Sequence, residues 1–168
     1  MLLLIFKYVK INLYLNKDNR KMKKLKLTAQ DVKLVETAKS FIDKHFREDW
    51  HHIAVAVRTK SGNIYTSFNL DTYVGGCAQC AEPIAIGKAL TMEDRDIETV
   101  VAVRKPRPNK QDKTMRAVSP CGNCRELISD YAPECFVILE EDNEYFKMQI
   151  TDLLPEKYYV GKPKLPNR

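Results

Sequence analysis

The sequence is short of the residues that mark irregular or fibrous chains. Its 168 residues include only 6 Gly and 8 Pro, too few for a low-complexity or collagen-like polymer. With 44% hydrophobic and 30% charged residues, it is not depleted of core formers as disordered chains are. It also lacks a long apolar run. The opening Met1 to Phe6 is interrupted by Lys7 and Lys10, well short of the roughly 20 residues a spanning helix needs. The charge-first order and small-residue cleavage site of a secretory signal are missing as well. These absences predict one cytoplasmic globular domain with no membrane partner.

The formal charge of +6 invites a nucleic-acid partner until it is placed along the chain. Residues 1–26 hold eight bases (Lys7, Lys10, Lys17, Arg20, Lys21, Lys23, Lys24, Lys26) against one acid, Asp18, leaving 20 bases and 21 acids in the remainder. Residues 1–26 therefore read as a basic leader, disordered or the product of an upstream start, with Met22 before Lys23-Lys24 as the natural beginning. Residues 27–160 are the expected domain and 161–168 a polar tail. The segment Arg104 to Arg116 carries six bases and one acid. Without an aromatic residue it has no stacking platform for a nucleic acid, so that partner is not expected.

Local patterns order the elements. Thr28 with Asp31 three positions on resembles a capping box, and Val32, Val35, Ala38, Ile42 and Phe46 recur at helical spacing, predicting a helix to about Arg47. Ile53–Val57 and Ile64–Phe68 flank a Ser61-Gly62-Asn63 turn and read as a hairpin. A second helix is expected over Cys80–Leu90, a buried strand at Thr99–Val103, a third helix over Cys121–Tyr131, and two strands at Phe136–Leu139 and Tyr145–Met148. The fold class is α/β, a single-domain three-layer sandwich in which a mixed five-stranded sheet carries helices on both faces.

The chemistry lies in the cysteines. Of the five, Cys77 and Cys80 form one C-x-x-C pair and Cys121 and Cys124 another, while Cys135 beside Phe136 reads as a small buried apolar residue. Cys80-Ala81-Glu82 opens one helix and Pro120-Cys121-Gly122-Asn123-Cys124 opens another. C-A-E followed by P-C-x-x-C is the signature of zinc-dependent nucleobase deaminases, in which three ligands hold zinc and the Glu is not a ligand. Cys80, Cys121 and Cys124 would leave one coordination position open for water. Glu82, two residues past its ligand, can reach that water and the substrate as a general acid and base. Two helix N-termini and Arg125 beside Cys124 would offset the negative charge of three thiolates. Cys77 is either a fourth ligand closing the site or a spectator. His51 and His52 follow Trp50 just before the first strand; adjacent histidines can bind metal, but neighbours in a strand face opposite sides, which favours surface or supporting roles.

On these motifs the chain resembles the cytidine deaminase family, in the three-cysteine branch that includes blasticidin S deaminase. The resemblance runs from about Thr28 to Val160 and makes Cys77 a spectator. In that family a strand ends in an F-N-x-E segment whose Asn and Glu hold the sugar hydroxyls. Here Phe68-Asn69-Leu70-Asp71 stands with Asn69 eleven residues before Cys80. The resemblance implies Asn69 on the ribose 3′-hydroxyl, with Asp71 standing in for the Glu with one methylene fewer. It also implies Ala81 as a substrate contact, and Tyr158, with Tyr159 as its competitor, covering the base in a neighbouring subunit of a homotetramer. Pro83 suits the first turn of a helix, but it replaces the Arg of nucleoside-specific members and removes one hydrogen bond to a thiolate.

The expected activity is zinc-dependent deamination of cytidine and deoxycytidine to their uracil counterparts and ammonia, a step of pyrimidine salvage, with one Zn2+ per chain. Another aminopyrimidine nucleoside, such as blasticidin S or a modified cytidine, is the alternative that Asp71 and Pro83 leave open. A structural zinc protein closed by four cysteines is the reading from a different class. A chain that begins at Met22 is expected to fold, hold zinc and turn over as the full chain does. Loss of zinc or of activity in that shortened chain would make the leader part of the working protein.

Overall fold

A computed structural model describes residues 23–159. Residues 1–22 of the leader, the last position of the expected domain (160) and the tail at 161–168, with the expectations placed on them, lie outside the described residues. Helix α1 (Ala29–His45) starts as its sequence predicts. The Thr28 hydroxyl oxygen accepts from the Asp31 N–H and the Asp31 carboxylate accepts from the Thr28 N–H, a reciprocal cap. The buried stripe is Asp31, Leu34, Val35, Ala38 and Ile42. Val32, expected in that stripe, is 50% exposed, because the phase is set by Asp31 and Leu34 and a helix turns position 32 outward.

Six strands follow: β1 (Ile53–Thr59), β2 (Ile64–Phe68), β3 (Ile97–Arg104), β4 (Arg116–Val118), β5 (Phe136–Glu141) and β6 (Glu144–Gln149). Helix α2 (Ala81–Thr91) lies between β2 and β3, and α3 (Gly122–Tyr131) between β4 and β5. The sheet runs β2-β1-β3-β5-β6, with β3 and β5 parallel and the other neighbours antiparallel. It is mixed, as expected, but has one strand more than the five expected. The extra strand is β4, at the end of the basic segment that reads as a loop.

On one edge of β3, residues Thr99 to Val101 pair with β5 and residues Ala102 to Arg104 pair with β4. A three-residue strand is too short to show a period. It is fixed from a distance instead: the buried Glu140 carboxylate accepts from the Ala117 N–H at 2.8 Å and from Arg116 at 3.1 Å. The hairpin between β5 and β6 turns at Asp142 and Asn143, both with positive φ (52° and 65°), the conformation a two-residue hairpin loop requires. Upstream of position 27, Leu25 exchanges two backbone hydrogen bonds with Lys147 of β6, and Lys24 pairs with Glu141. The described contacts of the domain therefore begin inside the basic leader.

The apolar runs of β1, β3 and β5 are buried on both faces, and their side chains divide strictly. Ala54, Ala56, Val101, Val103 and Ile138 meet Leu34, Val35, Ala38 and Ile42 of α1. Val55, Val57, Val100, Ala102, Val137 and Leu139 meet α2 and α3 through Ala81, Ala85, Ile86, Cys124 and Ile128. The period of two along each strand thus makes two cores and three layers.

In the α1 layer the buried Asp31 carboxylate takes 2.7 Å and 2.6 Å contacts from Arg58 and Lys147. Arg58 also meets Glu98 and the Thr99 hydroxyl. Burial alone would raise the pKa of Asp31. Hydrogen bonds from Lys147, the Thr28 backbone and Arg58 outweigh it and hold the carboxyl at about 2, below the ordinary 3.8. A depressed carboxyl contributes stability that is fully present above its unfolded pKa and is lost as pH falls through the folded one. Asp31→Asn would remove the buried carboxylate shared by Arg58 and Lys147, leaving Arg58 only Glu98, and is expected to cost about 3 kcal/mol of unfolding free energy in urea titrations. It should also flatten the loss of stability between about pH 4 and pH 2. A loss under about 1 kcal/mol would show that the cluster is not a buried ionic network.

Candidate active site and metal centre

Two helices begin side by side on the same core. Cys80 occupies the N-cap of α2 and Cys121 the N-cap of α3, and neither side chain makes a cap hydrogen bond. Both sulfurs are therefore left for other partners, and Cys124 adds a third from the first turn of α3. The three sulfurs lie within 4.8 Å of one another, with Cys80 Sγ 3.7 Å from Cys121 Sγ. Zn–S bonds of about 2.3 Å arranged as a tetrahedron place sulfurs about 3.8 Å apart, so this donor set fits zinc.

Cys124 is buried, while Cys80 and Cys121 are exposed. The group is therefore closed towards the core and open towards solvent, where a fourth ligand would enter. Burial pushes the Cys124 thiol far above its ordinary range, and the charge of the neighbouring Glu82 adds to the effect. Three thiolates beside a carboxylate call for a cation, and a divalent ion supplies it.

Glu82 is buried in the first turn of α2, beside Cys124. Ala81 is buried, and its carbonyl accepts from the Ser67 hydroxyl at 2.6 Å. That bond pins the start of α2 to β2 and so sets where Cys80 and Glu82 stand. A strand serine carries no motif, so none in the sequence singles out Ser67. Its alternation onto the α2 face was the available signal.

Arg125 follows Cys124 in α3. Its guanidinium donates to the carbonyls of Pro120 and Leu153 and to the Ser119 hydroxyl. It braces the loop before Cys121.

The Asn69 to Asp71 segment is tied to Cys80 by a short bridge, in which Leu70 and Gln79 exchange backbone hydrogen bonds of 2.9 Å in both directions. Asn69 is buried and largely committed. Its Oδ1 accepts from the His52 and Ile53 N–H groups at 2.9 Å each, and its Nδ2 donates to the Trp50 carbonyl at 3.3 Å. Asp71 is about one-third exposed, with Oδ2 3.4 Å from His52 Nδ1. His51 turns the other way, its Nδ1 2.8 Å from the Asn69 carbonyl and its ring against Phe68. Just ahead of β1, the two rings thus meet different neighbours, His51 the Asn69 carbonyl and Phe68, His52 the Asp71 carboxylate.

Cys77 is exposed in a 3-10 turn (Gly75–Cys77) and is not among the sulfurs that converge. Cys135 is fully buried in the core. Tyr158 and Tyr159 are 76% and 72% exposed, while Lys157 anchors their segment on α3 through Glu126 and Asp130. In the basic segment, Lys105 pairs with Asp43, Arg107 with Asp49, and Arg116 with Asp112 and Glu140. Much of its charge is neutralised internally. Among the described residues no helix is long and apolar enough to cross a membrane.

A mixed sheet between helical layers, with a three-sulfur cluster and a carboxylate at two helix starts, defines a zinc-binding hydrolytic deaminase. The profile of the cytidine and deoxycytidylate deaminase zinc-binding region matches residues 28–140, and the chain belongs to that family. It is 44% identical over 137 residues to the blasticidin-S deaminase of Bacillus cereus, covering 82% of this chain and 98% of the relative. It is 29% identical over 111 residues to a probable cytidine deaminase of Dictyostelium discoideum, covering 66% of this chain and 67% of that one. Among solved structures, the cytidine deaminase from Bacillus anthracis superposes with a TM-score of 0.65 at 23% identity, covering 75% of this chain and 87% of the other. That likeness establishes the fold.

If the three converging sulfurs are the ligands, Cys77→Ser retains one zinc per chain by metal analysis, whereas Cys124→Ser loses it. Zinc loss from the Cys77 variant would restore the closed four-cysteine site.

Proposed function

We propose that the protein hydrolyses the 4-amino group of cytosine nucleosides, with Cys80, Cys121 and Cys124 holding zinc and Glu82 moving the protons. The observation that carries this is the 3.7 Å sulfur spacing beside a buried carboxylate that is not itself one of the converging ligands. Zinc there supplies the Lewis acidity that brings the pKa of water towards 7. Glu82 takes a proton from water as its oxygen adds to C4 of the ring and delivers it to ring nitrogen N3. It then carries the remaining hydroxyl proton to the amine. The C4–N bond breaks, ammonia leaves and the C4 carbonyl remains.

Ala81, fixed by Ser67, lies next to this exchange and contacts the base. Asp71 holds a sugar hydroxyl. Asn69 contributes the amide hydrogen left over from its internal bonds. Cytidine and deoxycytidine are the substrates of this reading, and the reaction belongs to pyrimidine salvage in the cytoplasm. Residues 27–160, which include the matched region, form the deaminase domain. Exposed apolar side chains, Tyr73, Val74, Tyr158 and Tyr159, support a homotetramer in which Tyr158 covers the base of a neighbouring subunit.

The 44% identity to a blasticidin-S deaminase favours a second reading, in which the cytosine nucleoside is blasticidin S. Ammonia release by the zinc-loaded protein over cytidine, deoxycytidine, cytosine, cytidine monophosphate and blasticidin S separates the two. Turnover of cytidine and deoxycytidine is expected, and turnover of blasticidin S alone would replace the first reading with the second. Glu82→Gln is expected to keep zinc and lower kcat by at least about 100-fold. A near-normal rate in that variant would remove Glu82 from the mechanism. By light scattering the same preparation is expected at four times the chain mass, and an active monomer would take Tyr158 out of the site.

A further inference from the structure

At the sugar end of the proposed site, most of the polar capacity is already spent. Asn69 has given its oxygen to two backbone N–H groups and one amide hydrogen to Trp50. Asp71 is different, since its backbone N–H is held by the Trp50 carbonyl at 3.2 Å while its carboxylate remains partly open. The ring of His52 faces that carboxylate. His52 Nδ1 is buried and has no hydrogen-bond partner, yet it lies 3.4 Å from Asp71 Oδ2. A buried, unpaired ring nitrogen is costly, and here the cost is carried beside the one carboxylate of the F-N-L-D segment. Hydrogen bonds of this kind are often long in a free enzyme and tighten when substrate arrives.

We propose that His52 is a positioning residue for Asp71: its Nδ1–H directs the Asp71 carboxylate onto a sugar hydroxyl and thereby sets discrimination between nucleosides that carry that hydroxyl and those that lack it. The proposal rests on the assignment of Asp71 to the sugar in the reading above. The backbone supports the geometry from both sides. The His52 N–H is held by Asn69 and its carbonyl accepts from the Lys105 N–H at 2.9 Å, so the ring is carried on a fixed stretch of chain. The Leu70–Gln79 bridge fixes Asp71 relative to Cys80. The charged groups that act on the ring are Asp71 and Asp49 on one sign and Arg107 and Arg104 on the other. Burial leads in lowering its pKa below 6.5. The imidazole is therefore neutral near pH 7 and can donate from one nitrogen only. A neutral donor beside Asp71 leaves the carboxylate its full charge and its acceptor capacity towards a hydroxyl.

The test compares cytidine with 2′,3′-dideoxycytidine in the full, zinc-loaded chain. His52→Leu, which keeps bulk and removes the donor, is expected to lower the ratio of kcat/KM for cytidine over the dideoxy analogue about tenfold, with the loss in KM. Its Kd for uridine, read by calorimetry, should weaken alike. His52→Asn places an amide nitrogen where Nδ1 stands and is expected to recover most of the ratio. In the Asp71→Ala background His52→Leu should change the ratio no further.

Equal losses on both substrates, additive effects of the two substitutions, or no difference between the Asn and Leu variants would each overturn the positioning role. If Asp71→Ala leaves the ratio untouched while the parent protein deaminates cytidine, the sugar assignment of Asp71 fails and the proposal falls with it. If the parent protein does not deaminate cytidine at all, the failure belongs to the substrate reading, and the uridine titration would show no binding.

Discussion

The site depends on one packing constraint: α2 and α3 must bury their apolar sides against the same face of the sheet, and both begin at the same end of it. Ala81, Ala85 and Ile86 from one helix share a core with Cys124 and Ile128 from the other. Their N-caps are therefore brought together by hydrophobic packing, before any metal is considered. Two polar ties then remove the remaining freedom. Ser67 fixes the first turn of α2 to β2, and Arg125 fixes the approach to α3 through Ser119, Pro120 and Leu153. Such supporting contacts preorganise a site whose functional side chains would otherwise swing.

The sequence discloses this centre because ligand chemistry tolerates few residue types at few spacings. Cys80, Glu82, Cys121 and Cys124 stand in a pattern that few other demands would produce, and Thr28 with Asp31 caps α1 through contacts only three residues apart. What stayed hidden is settled at long range. The phase of α1, which exposes Val32, follows from Asp31 turning inward to meet Arg58 and Lys147. β4 exists because Glu140, 23 residues beyond Ala117, accepts its N–H. The internal commitments of Asn69 are made to residues 16 to 19 positions away. No local period or motif encodes such distances, so Asn69-Leu70-Asp71 reads as a recognition segment without any sign that its first member also braces β1.

The two layers carry different tasks. The α2 and α3 face holds the sulfurs and Glu82 on an almost wholly aliphatic core. The α1 face contributes none of the converging sulfurs and instead encloses an ionic cluster whose members come from α1, β1, β3 and β6. Buried ions contribute little net stability, because desolvation offsets most of their attraction. Their geometric demands are strict, however, and they bind α1 to three strands in one register.

The contact between Leu25 and Lys147 has a consequence for the protein outside its active site. β6 is a terminal strand of the sheet, and an unpaired strand edge is a template for other chains. Leu25 takes the outward N–H and carbonyl of Lys147, and Lys24 places a charge beside Glu141 and over the Phe146 ring. Among the described residues, a single bridge flanked by this ion pair covers the β6 edge at Lys147. The residues just ahead of the first helix thus cover backbone groups at Lys147 that would otherwise be open to another strand.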